Sequence, residues 1–136
     1  MEIIIQNSDR KPALSIIILN GDLDGSNYQE VIHAAKQAQE NGAKYLLIDM
    51  ENVPFMGSAG LVALHSIALL MQGKELPNPD DGWSALHTMG SDAQAGMQPY
   101  VKILNPQASV DRGLQKTGMK QFFEVHTDRN DAIESF

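Results

Sequence analysis

The sequence predicts an α/β fold: a single-domain mixed β-sheet flanked by helices. Three observations carry this. Short runs rich in Ile and Leu alternate with segments whose apolar residues recur at helical spacing. The run at 45–49, Tyr-Leu-Leu-Ile-Asp, lacks polar alternation, as expected of a strand covered on both faces. A chain of 136 residues with 43% hydrophobic content can bury one core and has no room for a second full domain.

Taken in order, 2–6 and 14–19 read as two strands of a hairpin, separated by the turn-forming interval 7–12. Residues 28–40 place Tyr28, Val31 or Ile32, Ala35 and Ala38 along one helical face, and Asn41-Gly42 stops that helix. The strand at 45–49 should lie at the sheet's centre. A second helix, from Ser58 to about Gln72, is apolar almost all round, with His65 and Ser66 its clearly polar members, so it must be covered on more than one side. Residues 72–99 then hold three prolines, four glycines and a net charge of −3, which marks an excursion, with one short helix expected at 83–89. Order resumes with an alternating strand at 100–104 and a helix near 109–117 that ends at Gly118. A last strand is expected at 122–125 and a terminal helix at 128–136 capped by Asp128. The order β-β-α-β-α-insert-β-α-β-α implies parallel strands joined by right-handed crossovers.

Composition narrows the function. The formal charge of −7 argues against nucleic acid and anionic membrane as partners, because a phosphate backbone recruits basic patches, and favours a basic or neutral protein face. The absence of cysteine excludes disulfides, thiolate metal sites and cysteine nucleophiles. No secretory signal is evident, and the longest apolar stretch, 61–71, is too short to span a bilayer; a soluble, cytoplasmic protein is expected. Asp22-Leu23-Asp24-Gly25-Ser26 starts like a calcium loop, but an EF-hand counted from Asp22 would need Gly at Asn27 and Glu at His33, so turn and cap duty explains these residues. His33, His65, His87 and His126 have no short metal-ligand spacing, and neither phosphate-loop nor dinucleotide fingerprints occur; no cofactor and no metal are expected. Nor is there a nucleophile elbow or a base paired with Ser58 by spacing, so the chain is read as non-catalytic.

The junction 55–61, Phe-Met-Gly-Ser-Ala-Gly-Leu, joins the central strand to the apolar helix and presents a hydroxyl. Ser58 suits a helix N-cap, a role whose loss costs about 1 kcal/mol, and it is also the candidate phosphate acceptor, since a phosphate there meets the positive end of the helix dipole.

Three separated segments carry a family resemblance: Leu19-Asn20-Gly21-Asp22-Leu23-Asp24; the stretch 47–61, Leu-Ile-Asp-Met-Glu-Asn-Val-Pro-Phe-Met-Gly-Ser-Ala-Gly-Leu; and Leu104-Asn105-Pro106 with 114–119 and Phe122-Phe123. On these the chain resembles the STAS domain, the module of sulfate transporters and bacterial anti-sigma factor antagonists, over its whole length except 72–99. The resemblance implies one STAS-like domain over 1–136 with an atypical insertion at 72–99. It also implies a role in bacterial signalling and transcription regulation, through a surface that docks an anti-sigma factor with serine-kinase activity. That surface would comprise Asp22, Asp24, Met56, Gly57, Ser58, Ala59, Gly60 and Leu61. In phosphorylated members the loop reads Asp-Ser-Ser-Gly or Asp-Ser-Thr-Gly, with the hydroxyl directly before Gly accepting phosphate. Here Ala59 stands at the acceptor and Gly57 at the acid. Binding would then be constitutive or controlled elsewhere. Two other readings remain open: a permanent subunit of a transporter or signalling assembly, and a small-molecule or nucleotide sensor using the insertion as a lid around Trp83.

Overall fold

The computed structural model describes residues 1–76, 92 and 96–136. The short helix expected at 83–89 and the lid around Trp83 lie outside the described residues.

The apolar runs become five strands: β1 (Glu2–Asn7), β2 (Leu14–Asn20), β3 (Tyr45–Asn52), β4 (Val101–Leu104) and β5 (Val125–His126), hydrogen-bonded in that order. β1 and β2 form the expected antiparallel hairpin, and every later pairing is parallel. β3 is central, as its unbroken apolar pattern requires, because only a strand with neighbours on both edges and layers on both faces sheds its polar alternation.

Among the described residues, the helices that flank the sheet are α1 (Tyr28–Glu40), α2 (Ser58–Met71), α3 (Ala108–Lys116) and α4 (Arg129–Glu134). The main core lies on one face, where Ile17, Leu19, Leu46, Ile48, Val101 and Ile103 meet Val31 and Ala35 of α1, Leu64 and Ile67 of α2 and Leu114 of α3. The intervening strand positions Leu14, Ile16, Leu47 and Leu104 turn to the other face and are closed by Ala132 and Ile133 of α4. This two-sided arrangement follows from the period of two along each strand.

Two expectations are corrected. β4 does not alternate in burial, for all four of its residues are buried, Lys102 included. Lys102 shares a sheet row with Leu47, and its ammonium donates to the Ser135 carbonyl at 2.8 Å and the Ser135 hydroxyl at 2.9 Å. It also pairs with Glu124 at 3.1 Å and lies 4.6 Å from the centre of the Phe136 ring. A buried cation is tolerated there because its hydrogen-bonding capacity is filled.

Nor is 122–125 a strand. Gly118 adopts a left-handed conformation (φ 78°) that ends α3, and a 3-10 turn at Met119–Gln121 follows. Phe122 and Phe123 both enter the core, with rings edge-to-face at 5.1 Å, whereas consecutive strand residues would point to opposite faces. Pairing begins only at Val125.

Asp128 caps α4 as expected, its carboxylate accepting the Asp131 N–H at 2.9 Å. Asp128→Ala should cost about 1 kcal/mol, seen as a lower urea midpoint with unchanged slope.

Candidate functional site

The site forms at the carboxyl ends of β2 and β3, where the two strands keep pairing after their regular segments end. The Gly21 N–H donates to Asn52 O (3.0 Å), the Leu23 N–H to Phe55 O (3.0 Å) and the Gly57 N–H to Leu23 O (2.9 Å). Leu23 and Met56 thus form a parallel bridge, and Leu23 is fully buried beneath it. Two loops more than thirty residues apart in sequence become one ribbon.

Side chains brace each loop. The Asn27 carbonyl oxygen accepts the Asp24 N–H at 3.0 Å and its amide donates to Asp22 O at 2.7 Å, so this residue at the start of α1 clamps the turn and makes no helix-cap bond. Asp24 accepts the Ser26 hydroxyl at 2.5 Å and the Ser26 N–H at 2.9 Å. These two bonds hold its carboxyl below the usual range. From the other side, Ser109 Oγ donates to Pro54 O at 2.9 Å and Gln107 Nε2 to Glu51 O at 2.8 Å. The start of α3 therefore buttresses the β3–α2 loop. Two of the three segments that carried the sequence signal, 19–24 and 47–61, meet here, and Gln107 and Ser109, next to the third, brace them.

Where α2 begins, the structure overturns the cap assigned to Ser58. Gly57 occupies the N-cap position with extended backbone, and no side chain caps the helix. Ser58 is the first helical residue, and its exposed hydroxyl makes no hydrogen bond among the described residues. A cap residue needs non-helical backbone so that its side chain can reach back to the N2 or N3 amide, and Ser58 lies one position too late.

The eight proposed contact residues divide by exposure. Asp22 and Ser58 are exposed; Asp24, Met56, Gly57 and Ala59 are half-buried; Gly60 and Leu61 are buried. Gly60 serves shape: a Cβ there would overlap the Met56 side chain and lie 2.9 Å from Leu23 Cγ, so only glycine lets α2 press against the ribbon. The expected contact set leaves out Phe55, which is 54% exposed beside Met56. An aromatic residue directly after Pro54, in a stretch poor in other apolar surface anchors, was the available signal. Exposed apolar area at Phe55 and Met56 thus sits among Asp22, Asp24 and Glu51.

Deeper along α2, His65 is wholly buried, its Nε2 2.7 Å from an Asp92 carboxylate oxygen and its ring 5.8 Å from that of Phe122. Burial pushes its pKa down and outweighs the opposing pull of Asp92. A neutral ring donates from Nε2 to Asp92, leaving Nδ1 without a partner among the described residues. Among those residues no group of three or more His, Asp or Glu could hold a metal, and no helix is long and apolar enough to cross a membrane.

A family model described as the STAS domain matches residues 6–75. No curated protein matches the sequence significantly. Among solved structures, the chain is similar to a Thermotoga maritima protein assigned as an anti-sigma factor antagonist (TM-score 0.70, 14% identity, 97% of this chain and 92% of that one). It is also similar to an anti-sigma factor antagonist from Mycobacterium paratuberculosis (0.66, 17%, 98% and 92%) and to the antagonist SpoIIAA in its unphosphorylated form (0.62, 19%, 98% and 94%). At such identities the likeness is one of fold.

Two outcomes test this geometry. Ser58→Ala should change stability by less than about 0.5 kcal/mol, whereas Gly60→Ala should cost about 1–3 kcal/mol by overpacking; thermal unfolding of both variants distinguishes a shape-bearing glycine from a cap-bearing serine. Because the folded chain disfavours protonating His65 more than the unfolded chain does, stability should be complete above pH 6.5 and decline as pH falls below it. His65→Gln should flatten that slope in denaturant titrations run across the same pH range.

Proposed function

The chain belongs to the STAS domain family, and from that premise we propose that it is a non-catalytic, cytoplasmic interaction module of the anti-sigma factor antagonist kind. Residues 1–136 act as one domain, with 72–99 inserted after α2. Its docking surface is the ribbon of residues 21–24 and 52–57 with the first turn of α2. Its partner is a kinase-like anti-sigma protein. The observation that carries this reading is the exposure of Phe55, beside half-buried Met56, on a braced loop that leads into exposed Ser58 at the start of α2, because a rigid apolar anchor loses little conformational entropy on binding. Asp22, Asp24 and Glu51 form an acidic surround, which suits a basic margin on the partner.

Docking is constitutive, or governed away from this loop. Ala59 offers no hydroxyl at the position matched to the family's acceptor, and Gly57 offers no acid. Ser58 lies one residue before the matched site, and both belong to the first turn of α2. The same substitutions favour a permanent subunit over a phosphate-gated switch as the second reading.

Titration calorimetry against a kinase-like anti-sigma protein from the same organism tests the proposal. Phe55→Ala and Met56→Ala should each weaken binding at least about tenfold, as loss of an interface anchor does; Phe55→Ala should leave the melting temperature near wild type, whereas Met56→Ala should also lower it by removing packing against the core. Ala59→Ser should gain phosphate on incubation with that protein and ATP while the wild type stays unmodified. Unchanged affinity in both alanine variants, or stoichiometric phosphate on wild-type Ser58, would overturn it.

A further inference from the structure

The first strand is unusual for an edge. β1 lies at the margin of the sheet and pairs with β2 through six consecutive residues without a bulge. It contains no proline and no lysine, and its one charge is Glu2. Ile4 and Ile5 are each 38% exposed and Met1, directly before the strand, 37%, so two of the five exposed large hydrophobic residues among the described residues lie on β1 and a third adjoins it. Edge strands are ordinarily blunted by charge, proline or irregularity, and a flat apolar edge templates a further strand.

Its free hydrogen-bonding groups can be assigned. The Ser8 N–H donates to Leu14 O at 3.0 Å, which makes 8 and 14 a hydrogen-bonded pair. Bonded and non-bonded pairs alternate along an antiparallel ladder. With the observed register, Gln6, Ile4 and Glu2 therefore direct their backbone groups toward β2, and Asn7, Ile5 and Ile3 direct theirs away from the sheet.

We propose that β1 pairs with β1 of a second copy, antiparallel across a twofold axis, and so continues the sheet through the dimer. One register brings every isoleucine of the strand against another: Ile4 opposite Ile4 and Ile3 opposite Ile5. The same register sets Glu2 opposite Gln6, so no like charges face each other within the pairing. The outward residues Ile3 and Ile5 then exchange about four main-chain hydrogen bonds with the second copy. Ile4 packs on its counterpart at the close, non-bonded spacing, next to the half-buried Ile18 behind it. This self-complementarity is what selects a second copy over an unrelated strand. The contact is small, so the dimer is weak, with a dissociation constant on the order of 10–100 µM. Each copy carries −7, and the long-range repulsion between copies makes association strengthen as salt is added.

Sedimentation equilibrium of the full chain tests this across a concentration series at low and high salt, together with amide exchange at dilute and concentrated protein. The expected result is a monomer–dimer equilibrium that tightens with salt, and an Ile5 amide protected only in concentrated samples while the Ile4 amide is protected in both. Ile4→Lys, which opposes two ammonium groups, and Ile5→Pro, which deletes an outward N–H and spares the ladder to β2, should each weaken dimerisation at least about tenfold. A chain that stays monomeric throughout overturns the proposal, as does a dimer that survives both substitutions. An Ile5 amide equally protected at every concentration also overturns it, since the edge would then be covered by the chain's own polypeptide; this wild-type readout holds even if a variant fails to fold.

Discussion

The site depends on one piece of backbone pairing, the continuation of the β2–β3 ladder through Leu23 and Met56. Strands that diverged after Asn20 and Asn52 would leave two independent loops, each free to sample many conformations. Instead, three main-chain hydrogen bonds join them, and Leu23 fills the space below. Each such bond is worth only about 1 kcal/mol net. Their combined effect is larger than that figure suggests, because the ribbon also fixes where α2 starts and how closely it approaches. Gly60 is the other half of the constraint: any side chain at that position would occupy the volume that Met56 and Leu23 already fill. Exposed Phe55 and Ser58 are consequently held on a stiff support, which is what a docking surface requires if little entropy is to be lost on binding.

Helix α2 imposes a second demand. Ten of its fourteen residues are buried, so it behaves as a core element and not as a surface helix. Burying His65 within it disfavours the imidazolium, and the ring is satisfied on one side by Asp92. That contact joins Asp92 to the helix that follows the 52–57 loop. Asp92 meets α2 at His65, two turns beyond Ser58.

On the opposite face of the sheet, closure rests on the short helix α4. Its anchoring is chiefly polar: the Asp128 cap, Lys102 reaching Ser135, and Lys11 donating to the Phe136 backbone oxygen at 2.9 Å. A six-residue helix buries too little apolar area to hold its place by packing alone. The uneven coverage also leaves Ile4 and Ile18 only partly sheltered near the β1 edge, whereas Leu14, Ile16 and Leu47 beneath α4 are sealed.

Much of this was legible in the residues themselves. The hairpin, the central strand, the bounds of α1 and the cap at Asp128 follow from local periodicity and turn chemistry, which act over a few neighbouring positions and are therefore written in the sequence. The two segments that pair as the ribbon, 19–24 and 47–61, were recognisable too, although nothing local says that Leu23 lies against Met56. Misreadings arose where distant partners decide the outcome. Ser58 has the chemistry of a cap, yet the Gly57–Leu23 bond sets the helix start one residue earlier than that role allows. Phe122 and Phe123 have strand-like composition, but the left-handed turn at Gly118 sends both rings inward. Lys102 looks like the polar half of an alternating strand until Ser135, Glu124 and Phe136 close around it. Element type and order were thus determined by the sequence alone, because they reflect short-range sterics and hydrophobic period. Only the tertiary structure decided which side chains face outward at the site, because exposure depends on what the rest of the chain places on top.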